Sequence, residues 1–398
     1  MLDASYSECR HLRMHKMQPF KRVTGDEISY CRHGLYRDLL TPVHRQLRDH
    51  DNNDILKRIH SIFSFHLWDS DYILKSELIH FKLLKVLELR HREIDNFPLQ
   101  ILSLIWLRYL SLQCRVENLN IPPEICRLWN LQTFIVQGPS RPVIITFPEE
   151  IWALMQLRHL KLPEFYRPNR PSISADKGSH MGLSNIQTIS YSSLDCCTKE
   201  VILGVKNVKE LGIRGNKIDS NGLLNNLVHL QQLETLSFIF CFKLLPASAK
   251  AFPATLKKLK LERIYISWSY LDIIAELPNL EVLKLMLNAR DGIEWHPNIS
   301  GFTRLKVLLI NKNYLEYWKS TNDERLMIRR CYHLKEIHIE FAEIHTLQMI
   351  ELTKCPPKLG ECAARIQNEQ QDLGNNPVDV RIFDPWSGVR NAPPAKLG

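Results

Sequence analysis

Leucine and its apolar substitutes return along this chain in the pattern L-x-x-L-x-L. Units open at Leu84, Leu107, Leu131, Leu157, Ile186, Val208, Leu233, Leu256, Leu280, Leu305 and Leu334, at intervals of 22 to 29 residues. Apolar residues at relative positions 1, 4 and 6 suit a short strand, and a lone strand cannot bury them; each unit therefore needs a neighbour stacked on it. Strands stacked in this way form a parallel sheet on one face, and the return segments form the other. Positions 2, 3 and 5 carry no packing demand, so they form a display surface.

A period of about 20–29 residues with this internal spacing marks leucine-rich repeats. The expected fold class is an α/β repeat solenoid: a leucine-rich-repeat horseshoe with an inner parallel β-sheet and an irregular or short-helical outer face. The solenoid is expected over residues 58–355, about eleven to twelve repeats, led by a degenerate strand at Ile59 to Leu67 whose third apolar slot holds Ser64. Residues 1–57 lack the repeat and read as a basic connector, with a helical stretch around Leu35 to Leu47 broken by Pro42. At the other end, residues 356–374 can form an amphipathic capping helix with Leu359, Ala363, Ile366 and Leu373 inward, and residues 375–398 read as a flexible tail.

The return segments FPLQILSLIWL from Phe97, IPPEICRLWNL from Ile121 and FPEEIWALMQL from Phe147 each turn at proline and continue as one or two helical turns. Later returns lose this regularity. The stretch Pro163 to Gly182 has three prolines and no periodicity, which predicts an exposed loop.

Charge and cysteine content narrow the partners. The net charge of +9 favours an acidic partner, yet 43 acidic residues are mixed among 52 basic ones, so nucleic acid is not expected as the main ligand. Ten cysteines without a C-x-x-C pair or zinc spacing suit a reducing compartment. No signal peptide or membrane span is readable, and a cytoplasmic location is expected. Phosphate-loop, dinucleotide, zinc-protease and nucleophile-elbow motifs are all missing from the sequence. The adjacent Glu149 and Glu150 favour the positive end of a helical turn rather than acid/base work. The expectation is a chain that is not an enzyme, with no catalytic, cofactor-binding or metal-binding residues.

Candidate binding residues come from the display positions. Lys257, Lys258 and Lys260 fall in one unit, with Lys284 in the next and Arg214 two units before, which predicts a basic patch on the inner face. Glu336, His338 and Glu340 in the unit at Leu334 predict a change of sign toward the C-terminus, a gradient that would orient a partner. Tyr109, Ile135, Ile239, Val282, Met286, Val307 and Leu309 are apolar residues at display positions, open either to a partner or to packing along the ladder.

The phrases LLKVLELRHREIDNFPLQILSLIWLRYLSL, PPEICRLWNLQTFIV and PEEIWALMQLRHLKLP, with the ending KCPPKLGECAARIQNEQQDLGNNPVDV, resemble the leucine-rich-repeat portion of plant intracellular immune receptors. These are coiled-coil, nucleotide-binding, leucine-rich-repeat proteins, and the late-blight resistance homologues of the nightshade family are similar. The resemblance implies a protein-interaction role in defence and the hypersensitive response. Its implied partners are the family's own nucleotide-binding module, a pathogen effector or a guarded host protein, and its implied location is the cytoplasm or, in a full-length receptor, the membrane periphery. ATP or ADP is implied only through an upstream nucleotide-binding module; Met14-His15-Lys16 lacks the acidic residue of that module's Met-His-Asp motif. The alternative is a stand-alone adaptor that recruits a protein substrate, as in ubiquitin-ligase receptors, which would call for a helical module before the repeats.

Overall fold

The structure is a computed structural model that describes residues 60–64, 78, 81–138, 144–163, 183–215, 219, 221–241, 245–246, 248–264, 266–287, 290–291, 294–296, 301–319 and 323–384, with the strands Lys21–Val23, Arg37–Leu40 and Phe165–Tyr166. The chain divides into two compact units, residues 1–163 and 164–398.

In the first unit β1 (Lys21–Val23), β2 (Arg37–Leu40), β3 (Ser61–Ser64), β4 (Val86–Ile94) and β5 (Tyr109–Cys114) pair in parallel in chain order. A short β6 (Asn118–Asn120) follows, then β7 (Thr133–Gln137), β8 (Ile144–Thr146) and β9 (His159–Lys161); β5 continues the main ladder through β7 to β9, while β6 pairs with β8. The expected degenerate strand is present as β3. The helical stretch expected around residues 35–47 is corrected: residues 37–40 form a strand, and the rest of it lies outside the described residues.

The apolar pattern converts directly into columns. Leu87, Leu110, Phe134 and Leu160 are register partners across β4, β5, β7 and β9, and all are buried. Leu84, Leu107, Leu131 and Leu157, which open the units, are buried as well. The backbone between opening residue and strand is bound in the same way each time. The Lys85 carbonyl accepts from both Arg108 N–H (2.7 Å) and Tyr109 N–H (3.0 Å), and the Arg108 carbonyl accepts from Gln132 and Thr133 N–H (2.8 and 2.9 Å).

The proline-led returns form 3₁₀ turns at Leu99–Ser103, Pro123–Arg127 and Glu149–Ala153. Extended Pro98, Pro122 and Pro148 precede them, and their carbonyls accept from Ile101, Ile125 and Ile151 N–H at 3.0–3.2 Å. Proline suits this entry because its fixed φ fits and its missing N–H would have no partner there. Three residues per turn keeps Ile101 and Leu104, or Ile125 and Leu128, on one buried side.

The second unit begins with β10 (Phe165–Tyr166), β11 (Thr188–Ser193), β12 (Glu210–Arg214), β13 (Thr235–Ile239) and β14 (Lys258–Glu262). After β15 (Ile266–Ser267) come β16 (Val282–Met286), β17 (Arg290–Asp291), β18 (Glu294–Trp295) and β19 (Val307–Asn311). The unit ends with β20 (Tyr317–Trp318), β21 (Arg325–Arg329), β22 (Met349–Thr353) and β23 (Asp379–Phe383). The main parallel ladder runs β10, β11, β12, β13, β14, β16, β19, β21, β22, β23, and the pairs β15–β17 and β18–β20 lie in the returns. A bulge in β11 between Ile189 and Ser192 brings Tyr191 against β12 at Gly212. A Cβ there would stand 2.8 Å from the Tyr191 ring, so the close approach requires glycine.

Three expectations near the C-terminus are corrected. The unit expected at Leu334 is not a strand of the main ladder. Leu334 and Ile337 are buried in a return segment whose Lys335 N–H donates to the Glu316 carbonyl of the preceding return (3.0 Å). The strands on either side are β21, entered from a fully buried Asp323 where the pattern calls for leucine, and β22, entered from Leu347. Residues 375–398 were expected as a flexible tail, yet β23 within them pairs with β22 over five residues. The helix Pro357–Asp372 buries Leu359, Ala363 and Ile366, as the amphipathic pattern predicts, but Leu373 is exposed just beyond its end.

From β13 onward, each strand of the main ladder ends at a non-glycine residue with positive φ: Phe240, Arg263, Leu287, Lys312, Arg330, Lys354 and Asp384, at 45° to 55°. This conformation costs roughly 1–2 kcal/mol for an L-residue. What offsets it is one more rung of the ladder: Arg263 N–H donates to Met286 O (3.1 Å), Lys312 N–H to Arg329 O (2.9 Å), Lys354 N–H to Phe383 O (3.0 Å). The turn also brings a polar side chain under the sheet. Asn313 Nδ2 donates to Leu285 O (3.0 Å), Cys331 Sγ to Ile310 O (3.6 Å) and Cys355 Sγ to Ile328 O (3.3 Å), each reaching the strand of an earlier repeat. Burial pushes the Cys331 thiol up to about 12 and raises that of Cys355. These cysteines are structural donors, and all eight cysteines in the described residues are free thiols.

The irregular outer side of the second unit is packed by tryptophan. Trp268, Trp295 and Trp318 come from successive returns and stack at 5.0 Å (5°) and 5.7 Å (14°), and Phe341 closes the row edge-on against Trp318 at 5.0 Å. Replacing the fully buried Trp295 with alanine is expected to cost about 3–5 kcal/mol, read as a lowered urea midpoint. In the native protein iodoacetamide at pH 8 should modify partly exposed Cys126 well before Cys331 or Cys355, whose thiols are protonated there; mass spectrometry of tryptic peptides reads the order.

Candidate functional site

The ladder of the second unit presents alternate residues of each strand away from the core. Lys258 is register partner of Thr235 and Val282, and Lys260 of Ser237 and Lys284. Lys258, Lys260 and Lys284 therefore stand together on one sheet face. Lys257 lies just ahead of β14, where its carbonyl accepts from Glu281 and Val282 N–H. Arg214 closes β12 two strands away.

These cations are not equivalent. Lys257 Nζ pairs with Glu234 at 3.2 Å and Lys260 Nζ with Glu262 at 2.6 Å. Among the described residues Lys258 and Lys284 have no ion-pair partner, and both are exposed. Arg214 covers the Phe240 ring at 5.0 Å, with Arg263 over the same ring at 4.8 Å. The patch predicted from spacing thus exists as a place in the sheet, with two of its charges already neutralised.

Glu336, His338 and Glu340 lie elsewhere. They are half-exposed residues of the return segment, where His338 Nδ1 accepts from Glu340 N–H (3.4 Å) at the start of the 3₁₀ turn Ile339–Glu343. The strand positions they were expected to fill hold Arg325, Met327 and Arg329 on β21 and Met349, Glu351 and Thr353 on β22. The reversal of charge expected from Glu336, His338 and Glu340 is therefore corrected: β21 carries Arg325 and Arg329, and Arg329 is bound to Glu351 of β22 at 2.7 Å. Tyr109 stands in the first unit, half-buried at the opening of β5. Ile239 and Leu309 are buried on the sheet face, which agrees with packing along the ladder.

Sequence spacing missed the rim. The left-handed residues that end the strands include Arg263, Lys312, Arg330 and Lys354, a basic row at the C-terminal edge of the sheet with no ion pair among the described residues. A signal was present, since each lies eight residues into its repeat, but for Arg330 and Lys354 it required the repeat openings at Asp323 and Leu347.

The arrangement holds cations at strand spacing over a parallel sheet, beside partly covered apolar residues. Among the described residues no group of three or more His, Cys, Asp and Glu side chains could hold a metal, and no helix is long and apolar enough to cross a membrane.

The family model described as a leucine-rich repeat region matches residues 61–291. The chain belongs to the leucine-rich-repeat family. This leucine-rich-repeat chain is similar to late blight resistance protein homolog R1B-16 of Solanum demissum, 33% identical over 305 residues, which covers 74% of this chain and 23% of that protein. Homolog R1B-23 of the same species is 31% identical over 326 residues, covering 77% and 25%, and homolog R1B-8 is 31% identical over 321 residues, covering 77% and 26%. The chain spans about a quarter of the length of each of these relatives.

The Arg329–Glu351 pair, with the carboxylate largely buried, should contribute more to this leucine-rich-repeat sheet than the exposed Lys257–Glu234 pair. Arg329→Met is expected to destabilise by about 1–2 kcal/mol because it strands a largely buried carboxylate, and Lys257→Gln by less than about 0.5 kcal/mol. Urea denaturation of both variants at low salt reads the difference.

Proposed function

We propose that this leucine-rich-repeat chain serves plant disease resistance as a protein-interaction domain, binding through the exposed sheet face and basic rim of its second unit. The observation that carries the reading is the similarity to Solanum demissum proteins named for late blight resistance, which extends over about three quarters of the chain. In this reading the domain recognises a pathogen protein or restrains a nucleotide-binding module in the cytoplasm, and any response to ATP or ADP belongs to that module.

The surface supports the reading on physical grounds. Lys258, Lys284, Arg263 and Lys312 are exposed cations whose backbones are fixed by the ladder. A fixed row of charge speeds and orients docking to an acidic surface. Little backbone entropy is lost on binding, because the strands are ordered beforehand.

The test is binding of the 398-residue chain to a purified nucleotide-binding module from an immune receptor of this class, followed by calorimetry. Reversing Lys258, Lys284, Arg263 and Lys312 to glutamate should weaken the complex about tenfold or more, and raising salt should weaken the wild-type complex. Affinity that ignores both changes would remove the basic surface from the account.

A further inference from the structure

The main ladder of the second unit runs to β23, and among the described residues its last edge is left open. β23 pairs there with β22 and with no other strand. On β22 the core-side residues Ile350 and Leu352 are 0% and 1% exposed, because β23 covers them. Their register partners Val380 and Ile382 continue both columns without a further strand to cover them: Val380 is half-buried and Ile382 is 50% exposed. A repeat array is ordinarily closed by a polar outer face. Here the closing strand shows apolar side chains where the next repeat would sit.

The backbone of this edge is open in the same place. Asp379 N–H donates to Gln348 O (2.9 Å), and Phe383 O accepts from Lys354 N–H (3.0 Å). Residues of a paired strand turn to its two sides alternately, so Asp379, Arg381 and Phe383 face β22, whereas Val380 and Ile382 direct their N–H and C=O groups outward. The open stretch is bounded at both ends. Val378 N–H donates to Gln370 Oε1 (2.8 Å) and its carbonyl accepts from Gln367 Nε2 (2.7 Å), while Asp384 is left-handed at φ 45°. Edge strands are commonly protected by proline, a bulge or an inward-pointing charge. β23 contains no proline, keeps regular register with β22 and has valine and isoleucine on its core side.

Residues 385–398 contain no L-x-x-L-x-L unit, and Pro385 follows the strand directly, so they do not supply a further repeat of the same kind. The edge does present its own complement. We infer that two copies of this chain join at β23, antiparallel about a two-fold axis at Arg381, with Val380 of each copy opposite Ile382 of the other. This register alone uses both outward residues of both copies, and each Val380–Ile382 pair exchanges both of its backbone hydrogen bonds. On the core side the valines and isoleucines of the two copies cover one another. On the display side Asp379 and Arg381, each more than half exposed and joined at 2.7 Å within one copy, lie diagonal to Arg381 and Asp379 of the other, within reach of a long side chain. The four charges cancel, and the same patch serves both copies, as a two-fold contact requires.

The joint places Asp379, Arg381 and Phe383 of both copies on one side, so the basic sheet faces of two second units become a single surface. Such a dimer meets a repeating acidic partner twice and gains by avidity. The inference is separate from the sheet-face reading, and its test contains no ligand.

The contact is small beside those of permanent dimers, so the association is weak and reversible. Sedimentation velocity of the 398-residue chain from about 1 to 100 µM should show monomer passing to dimer as concentration rises. Ile382→Pro removes an outward N–H, a change that an edge strand tolerates, and should abolish the dimer. Asp379→Arg and Arg381→Asp should each weaken it by about fivefold or more. The two changes combined should restore it, a rescue that damage to the fold would not give, and circular dichroism checks the fold of every variant. Residues opposite one another at a non-hydrogen-bonded place approach to about 4.5 Å between Cα atoms, within disulfide range. Arg381→Cys should therefore be linked between copies by mild oxidation, and no gain over wild type would overturn the register and the inference with it. A chain that stays monomeric to about 100 µM, or a dimer indifferent to Ile382→Pro and to the charge exchange, would overturn the inference. Dimerisation only after removal of residues 385–398 would assign the edge to that segment and overturn it likewise. Lys258→Glu with Lys284→Glu should leave the dimer unchanged, so failure of the sheet-face reading and failure of this one give different results.

Discussion

A strand of this protein cannot be completed within its own repeat. Its apolar residues at positions 4 and 6 are covered only when the next repeat adds a strand, and its carbonyls find donors only there, as the Lys85 carbonyl does in Arg108 and Tyr109. Burying one such leucine contributes about 1.5–3 kcal/mol, and a net backbone hydrogen bond about 1 kcal/mol. Together they exceed the roughly 1–2 kcal/mol for each left-handed residue that ends a strand. The left-handed turn is therefore tolerated by arginine, lysine, leucine and phenylalanine without recourse to glycine, because it extends the ladder by one bond. It also delivers Asn313, Cys331 or Cys355 to a carbonyl beneath the sheet. Cysteine content, which in the sequence speaks only of redox compartment, turns out to serve backbone satisfaction.

The apolar columns from Leu84 to Leu305 were legible because leucine at a fixed interval is both the pattern and its cause. Legibility failed where another residue took a framework place. Asp323 fills the opening position of β21 in full burial, so only Leu326 and Ile328 mark that strand, while LKEIHI imitates a complete unit and packs as a return. Periodic letters give composition of a repeat; register comes from which neighbour it pairs with, and the short step from Leu305 to Asp323 hides that choice. The unit at Leu347 fits the pattern in every apolar place and was masked by the false opening thirteen residues earlier. That one shift moved Glu336, His338 and Glu340 off the sheet and removed the predicted change of sign.

Display residues were legible as positions but not as charges. Lys257 and Lys260 were readable as inner-face lysines, yet their partners Glu234 and Glu262 lie one repeat back and two residues on, and only geometry shows the pairs closing at 3.2 and 2.6 Å. Among the described residues Lys258 and Lys284 lack such partners. The tryptophans divide in the same manner. Trp268, Trp295 and Trp318 stack inside the returns and stabilise an outer side with little regular structure, whereas Trp106 and Trp129 stand at bends the second unit builds from glutamine, threonine and histidine. Residue type does not separate the two sets; position in the repeat does.

Because the framework occupies a few fixed places in each repeat, the residues between them can change without loss of stability, and their spacing is inherited from the ladder. Arg263, Lys312, Arg330 and Lys354 each sit on a backbone held at φ 52–53° by the following strand, so the distance between their Cα atoms is set by strand pairing rather than by contacts among the side chains. A partner then meets charges whose backbone entropy was lost on folding, and only side-chain freedom remains to be ordered. That separation of a rigid frame from interchangeable display is what makes a repeat sheet suited to recognition, and it follows from the inability of any one repeat to bury its own leucines.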